Sequence, residues 1–146
     1  MTTAAKKTFG TKVFIDPAPA APTTPVGELL EAALPKGARE VMDVTTHDSP
    51  GGAEEYMPEG TYDPGQLEIT GHYIARSPLD VALRLAFTSA ALQNIKCQPK
   101  TATGTEDQTF SGFVIAYGPD AMPVKGKQTF TATIKVTGPV TSAVTE

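Results

Sequence analysis

Between Gln128 and Val136 the chain reads Q-T-F-T-A-T-I-K-V. Phe130, Ala132, Ile134 and Val136 fall on one side of an extended backbone, and Thr129, Thr131, Thr133 and Lys135 on the other. A strict period of two with one wholly apolar side fits a half-buried antiparallel strand; a helix repeats about every 3.6 residues and would scatter these side chains round its axis. The alternation recurs upstream, where Leu67, Ile69, Gly71 and Tyr73 interleave with Gln66, Glu68, Thr70 and His72. Two such strands require a sheet with one buried face. Phe130, Ile134, Val136, Leu67, Ile69 and Tyr73 are its expected core.

At 146 residues the chain has the length of one domain, and a chain of this size buries roughly 70% of its unfolded surface. No stretch approaches the roughly 18 consecutive apolar residues of a membrane span, so no membrane partner is expected. Met1 to Lys7 is not followed by the apolar run of a secretory signal, which makes synthesis in the cytosol the default. The single cysteine, Cys97, excludes an intrachain disulfide and a cysteine-built zinc site. With 16 acidic and 12 basic residues the net charge is −4, the opposite of the basic stripe by which proteins grip nucleic acid.

Along the chain, Thr8 to Ile15 reads as a first strand ended by Asp16 and Pro17. Residues 17–25 form a proline-rich surface connection, since proline fixes φ and gives the ladder no donor. Val26 to Leu34 leaves two readings open: Glu28, Leu29, Leu30, Ala32 and Ala33 favour a helix, and strand pairing overrides such propensity where a neighbouring strand is available. Arg39 to Thr46 is a short strand. Gln93 to Gln98, Phe110 to Tyr117 and Gln128 to Val136 are further strands, with a polar loop through Asp107 and a turn at Gly118-Pro119.

One helix is marked at its start. Ser77 is placed as N-cap, Pro78 at the first helical position and Asp80 three residues past the cap. Leu79, Ala82, Leu83, Ala86, Phe87 and Ala90 then make a broad apolar stripe, with Asp80, Arg84 and Thr88 along a narrow polar one. Leu79, Leu83 and Phe87 are expected to pack on the sheet.

From Glu40 to Glu68 all eight charges are negative. The middle of this stretch, a long loop at 47–65, is rich in glycine and proline and offers little apolar surface to order it. Tyr56, Met57 and Tyr62 are nevertheless spaced through it. A solvated loop is one reading; the other is an assembly arm that orders against another molecule, with those three side chains as anchors among Asp48, Glu54, Glu55 and Asp63.

The residues offer little to catalysis. His47-Asp48-Ser49 holds the letters of a hydrolase triad, but adjacent side chains diverge and do not present base, orienter and nucleophile to one point. His47 and His72 stand at no recognised ligand spacing. Cys97 reads as a buried small hydrophobe, with only Lys96 beside it to lower its pKa. Neither a catalytic residue nor a cofactor or metal is expected.

Five segments in order carry a resemblance: Gly10-Thr-Lys-Val-Phe-Ile15; Asp43-Val-Thr-Thr-His-Asp-Ser-Pro-Gly51 with Glu55-Tyr-Met-Pro58; Gly65-Gln-Leu-Glu-Ile-Thr-Gly71; Thr109-Phe-Ser-Gly-Phe-Val114; and Phe130-Thr-Ala-Thr-Ile-Lys-Val-Thr-Gly138. Together they resemble the major tail tube proteins of long-tailed, siphovirus-type (lambda-like) bacteriophages with flexible, non-contractile tails. The resemblance implies a mostly β fold, an antiparallel β-sandwich or barrel flanked by one α-helix. It further implies homohexameric rings stacked into a tube, with tape measure, tail tip or baseplate and tail terminator proteins as partners. It also implies that phage DNA passes through the lumen, without specific binding. The implied place is the virion tail, assembled in the host cytoplasm. The proline connection is longer than the family's usual link, and no immunoglobulin-like domain is expected after the single tube domain at 1–146. Rival readings are a small glycan-binding or adhesion β-sandwich, which the absence of tryptophan disfavours, and a related phage structural protein such as a tail terminator or capsid decoration protein.

Overall fold

A computed structural model describes residues 10–100 and 104–145. Eight strands and one helix follow the chain: β1 (Lys12–Pro17), β2 (Leu29–Ala33), β3 (Val41–Asp43), β4 (Tyr56–Pro58), β5 (Gln66–His72), α1 (Pro78–Ser89), β6 (Gln93–Gln98), β7 (Thr105–Pro119) and β8 (Thr129–Thr145). Six of them form one antiparallel sheet in the order β1-β6-β7-β8-β5-β2, and β3 and β4 pair separately as a ribbon. The fold is thus mostly β with one helix. Thr8 and Phe9, expected in the first strand, lie outside the described residues.

The sheet curls because both of its edges are served by one stretch of chain. Beyond β1, the carboxylate of Asp16 accepts hydrogen bonds from the main-chain N–H groups of Thr23 (2.7 Å) and Thr24 (3.0 Å) and turns the proline-rich connection back on itself. Ile15 N then donates to Thr24 O (3.0 Å) and Val26 N to Val13 O (2.8 Å). A few residues later β2 pairs with β5 at the other edge. Residues 24–33 therefore run from one edge of the sheet to the other, cover the edge of β1 and curl the sheet toward a barrel. This settles Val26 to Leu34 in favour of a strand, pairing having overridden helix propensity. It also corrects the connection, since its end at Pro25 bridges Phe14 and joins the sheet.

The period-two pattern places the core. Leu67, Ile69, Phe130, Ala132, Ile134 and Val136 are buried together with Val13, Ile95, Cys97, Phe110 and Val114. Tyr73 and Leu79 are half-buried against them.

The last two strands are longer than their apolar pattern. β7 begins at Thr105, inside the expected polar loop, and runs through Gly118 and Pro119, while β8 continues nine residues past Val136. Thr105 to Thr109 pairs with Thr141 to Thr145 beyond the edge of the core. Out there neither face is buried, so no apolar alternation is needed and none marks the strands. The turn between them lies at 121–128.

α1 is capped as its sequence indicates: Asp80 N donates to Ser77 Oγ (3.2 Å), and Ala90 ends the helix in the left-handed region. Its roll differs from expectation. The inward row is Asp80, Leu83 and Ala86, whereas Phe87, expected in the core, is 49% exposed, and Val81 and Leu85 are exposed as well. The cause is Asp80. Its carboxylate is only 4% exposed and accepts from Tyr117 Oη (2.6 Å), Arg76 N (3.0 Å) and Arg84 Nε (3.0 Å). A buried carboxylate is tolerated only when its lone pairs are met, and meeting them rotates the helix.

Candidate functional site

Residues 38–63 leave the barrel as a single protrusion. Ala38 and Asp63 pair at its root through two main-chain bonds of 2.8 Å each, Glu59 N donates to Glu40 O (2.8 Å), and Val41–Asp43 faces Tyr56–Pro58 in register. Val44 N to Glu55 O (2.9 Å) extends the ladder. The tip turns through Thr46, where Ser49 Oγ accepts from Thr46 N (3.0 Å), and through a 3-10 turn at Pro50–Gly52. The stretch expected as a loop at 47–65 thus contains a strand, and its partner is the segment Arg39 to Thr46.

No residue from Lys36 to Asp63 is buried. Val41, Met42, Val44, Tyr56, Met57 and Tyr62 are all exposed large apolar or aromatic side chains. Met42 stands opposite Met57, and Tyr56 opposite Asp43, so each face of the ribbon carries part of this surface. Glu54 accepts from the Tyr56 hydroxyl. Glu55 belongs to the ladder, and Asp48 sits in the tip, where its N–H donates to Thr46 Oγ1 (3.3 Å). Tyr62 lies at the root under the Arg39 guanidinium, 5.1 Å from the ring centroid. Asp63 is bound to Lys135 Nζ (2.6 Å) and Gly65 N (2.8 Å); the Lys135 bond first, then the Gly65 amide, hold its carboxyl below the ordinary range. Glu40, Asp43, Asp48, Glu54, Glu55 and Glu59 form no salt bridge among the described residues.

The structure brings Asp48, Glu54, Glu55, Tyr56, Met57, Tyr62 and Asp63 onto one ribbon. Sequence reasoning missed its other half: Val41, Met42 and Val44 add three exposed apolar side chains to those of β4, and Arg39 locks the root by donating to Glu59 O (2.6 Å). The signal was present as two short alternating runs either side of a Gly/Pro-rich turn.

The opposite end of the barrel is built differently. Asp80 is at its centre, Arg84 Nη2 donates to Tyr73 Oη (2.6 Å), and the Arg84 guanidinium lies 5.8 Å from the Tyr117 ring centroid. Burial, then the bond to Asp80, pushes the Tyr117 hydroxyl pKa up. For Asp80 burial acts upward, but the bonds from Tyr117, Arg76 and Arg84 outweigh it and leave the carboxyl below its ordinary 3.8. Beside this network a groove of about 510 Å³ runs between α1 and the closing segment 24–28.

The remaining titratable candidates are dispersed. His47 is in the ribbon tip and His72 at the far end of β5, where its Nδ1 is 3.4 Å from Glu28 Oε1. Cys97 is fully buried, and burial pushes its thiol up to about 12, so it is protonated at neutral pH. Among the described residues, no three His, Cys, Asp or Glu side chains come together as a metal site would need, and no helix is long and apolar enough to cross a membrane.

No family model matches the sequence, and no curated protein is similar to it at the level of sequence. Solved structures share its fold. One is a chain of the tail of an empty gene transfer agent particle with C6 symmetry, with a TM-score of 0.77 and 14% identity over 96% of this chain and 100% of that one. Another belongs to the 6-fold symmetrised baseplate of the anti-feeding prophage, with a TM-score of 0.75 and 10% identity over 98% and 97%. The SPP1 tail tube superposes with a TM-score of 0.63 and 10% identity over 90% and 75%. At these identities the likeness is one of fold.

Proposed function

We propose that this chain, which has the fold of those tail proteins, is a structural subunit of a phage-type tail tube. Copies close laterally into hexameric rings, rings stack head to tail, and DNA passes along the lumen without being bound. The observation that carries this reading is the polarity of the molecule: a ribbon with no buried residue, bearing six exposed apolar or aromatic side chains, projects from one end only. A front that differs from a back makes a heterologous contact, which propagates into a filament. Support comes from the shared fold over nearly the whole chain and from the sixfold symmetry of two of the structures that have it.

In this reading the ribbon is the inter-ring contact, with Tyr56, Met57 and Tyr62 as anchors and Asp48, Glu54, Glu55 and Asp63 around them. Residues 1–146 act as one tube domain without catalysis or cofactor. Tape measure, tail tip or baseplate, and terminator proteins meet it along the tail and at its ends, in a virion built in the host cytoplasm. The finer assignment, to the flexible non-contractile tails of siphovirus-type phages, rests on the order of the five sequence segments. A net charge of −4 suits a conduit, because phosphate-binding cations in the lumen would retard DNA.

Negative-stain microscopy of concentrated protein tests the proposal. Tubes of sixfold section are expected. A preparation that stays monomeric under all conditions, baseplate seeds included, overturns it. Hydrogen exchange adds the assignment of the contact: residues 38–63 should gain protection on assembly, and equal protection in monomer and tube removes the ribbon from it.

A further inference from the structure

The groove beside α1 is an apolar surface that no described residue fills. Ile74, Leu79, Ala82 and Leu85 line one side of it and Pro25 the other. Ile74 and Leu85 are both more than half exposed. Its rim carries the carboxylates of Asp16 and Glu28, with His72 beside Glu28, and among the described residues no Lys or Arg lines it. An occupant must therefore be apolar at its tip and basic at its margin. The acidic ribbon does not qualify, because its carboxylates would face those of Asp16 and Glu28.

One protruding segment does. The 121–128 turn between β7 and β8 carries Met122, Pro123 and Val124 followed by Lys125 and Lys127, and it holds no acid. Met122 is 54% exposed and Val124 wholly so. Its position is as informative as its composition. Tyr73 N donates to Gln128 O (2.9 Å), which puts the root of the turn at the same end of the barrel as His72 and Ile74 beside the groove. In the strand order β1-β6-β7-β8-β5-β2 the turn leads into β8, and the groove reaches from His72 at the end of β5, the neighbour of β8, to Ile15 on β1. A turn and a groove of complementary charge, both at one end of the barrel, suit a heterologous contact between copies, and a contact of that kind closes a ring when its rotation does.

We propose that the 121–128 turn of one copy docks in the α1 groove of its neighbour within the same ring. Met122 and Val124 enter against Leu79 and Leu85, and Lys125 and Lys127 approach Glu28 and Asp16. This rests on the self-assembly proposed above and adds the lateral pair of surfaces, distinct from the axial contact assigned to the ribbon.

The test uses the full chain. Lys125→Glu with Lys127→Glu, on a turn that contributes nothing to the core, is expected to raise the concentration needed for assembly about tenfold or more, and adding Glu28→Lys to recover part of it. Separately, Val124→Cys with Ala82→Cys supplies the accessible thiols, since Cys97 is buried. Oxidised tubes of that variant should give a covalent ladder on a non-reducing gel, and the ladder should persist when Tyr56→Ala and Met57→Ala block stacking. Wild-type tubes alongside lysine variants that assemble at the wild-type concentration overturn the docking and leave the tube reading intact, as does a missing ladder. Wild-type protein that never assembles overturns both.

Discussion

The two ends of the barrel handle acidic residues in opposite ways. At the α1 end a single carboxylate, Asp80, is buried and satisfied by Tyr117, Arg76 and Arg84 of the same chain. In the ribbon six carboxylates, five of them exposed, form no salt bridge among the described residues, next to tyrosines and methionines that touch no core. The first arrangement is complete within one molecule. The second relies on a two-stranded ladder, which is marginal in water by itself. Stability of the monomer should therefore reside at one end and assembly at the other.

The largest effect is expected in the core. Phe130 is fully buried on β8, and Phe130→Ala should cost about 3–5 kcal/mol in urea unfolding, close to the whole stability of a small domain. Tyr56→Ala with Met57→Ala should leave the unfolding midpoint unchanged while abolishing stacking in the microscope. If the ribbon substitutions lower the midpoint as Phe130→Ala does, ribbon and barrel are one cooperative unit and the contrast is wrong.

Next comes the joint between the two regions. Gly65 has φ +93°, and a Cβ there would lie 2.4 Å from Lys36 O. Gly65→Ala should cost about 3 kcal/mol, from the left-handed backbone and the main-chain clash together. Hydrogen exchange would show whether the loss spreads into β5 or stays in the ribbon.

Asp80→Asn is smaller, about 2 kcal/mol, since the shape is kept and the charge-assisted bonds are weakened. The sign with pH follows from the depressed carboxyl. A group that titrates lower in the folded than in the unfolded chain contributes fully above the unfolded value of about 3.9, and its contribution fades as pH falls through the folded value. The difference between wild type and Asp80→Asn should thus be constant near neutrality and shrink below about pH 4. A difference that holds at low pH would mean that the hydrogen-bonded shape matters and the charge does not.

The same division explains what could be read from the sequence. Buried strands announce themselves, because one face must be apolar; hence Leu67, Ile69, Phe130, Ile134 and Val136 were legible, and so was the cap of α1. The β7–β8 extension was not, because outside the core neither face has to be apolar. The roll of α1 was hidden for another reason: a carboxylate counts as polar in any helical pattern, and it is the tertiary partner Tyr117 that turns Asp80 inward, Arg84 being an i,i+4 neighbour on the same helix. Of the ribbon, the anchors on β4 stood out against a Gly/Pro background. Val41 and Met42 did not, since a short alternating run looks the same whether it pairs with a core strand or with another exposed one.

The smallest effect belongs to the ion pair that, among the described residues, ties the ribbon root to the barrel. Lys135 Nζ reaches Asp63 at 2.6 Å across solvent-exposed surface, and pairs of this kind contribute little because water already solvates both charges. Lys135→Ala should accelerate amide exchange at the Ala38 and Asp63 bridge by roughly twofold and should let the Asp63 carboxyl, now held low by Lys135 first and Gly65 second, rise toward its ordinary value in an NMR titration. The difference in exchange should disappear near 1 M salt, where the Debye length falls to about 3 Å. An exchange rate unmoved at low salt would show that the main-chain ladder alone sets the ribbon.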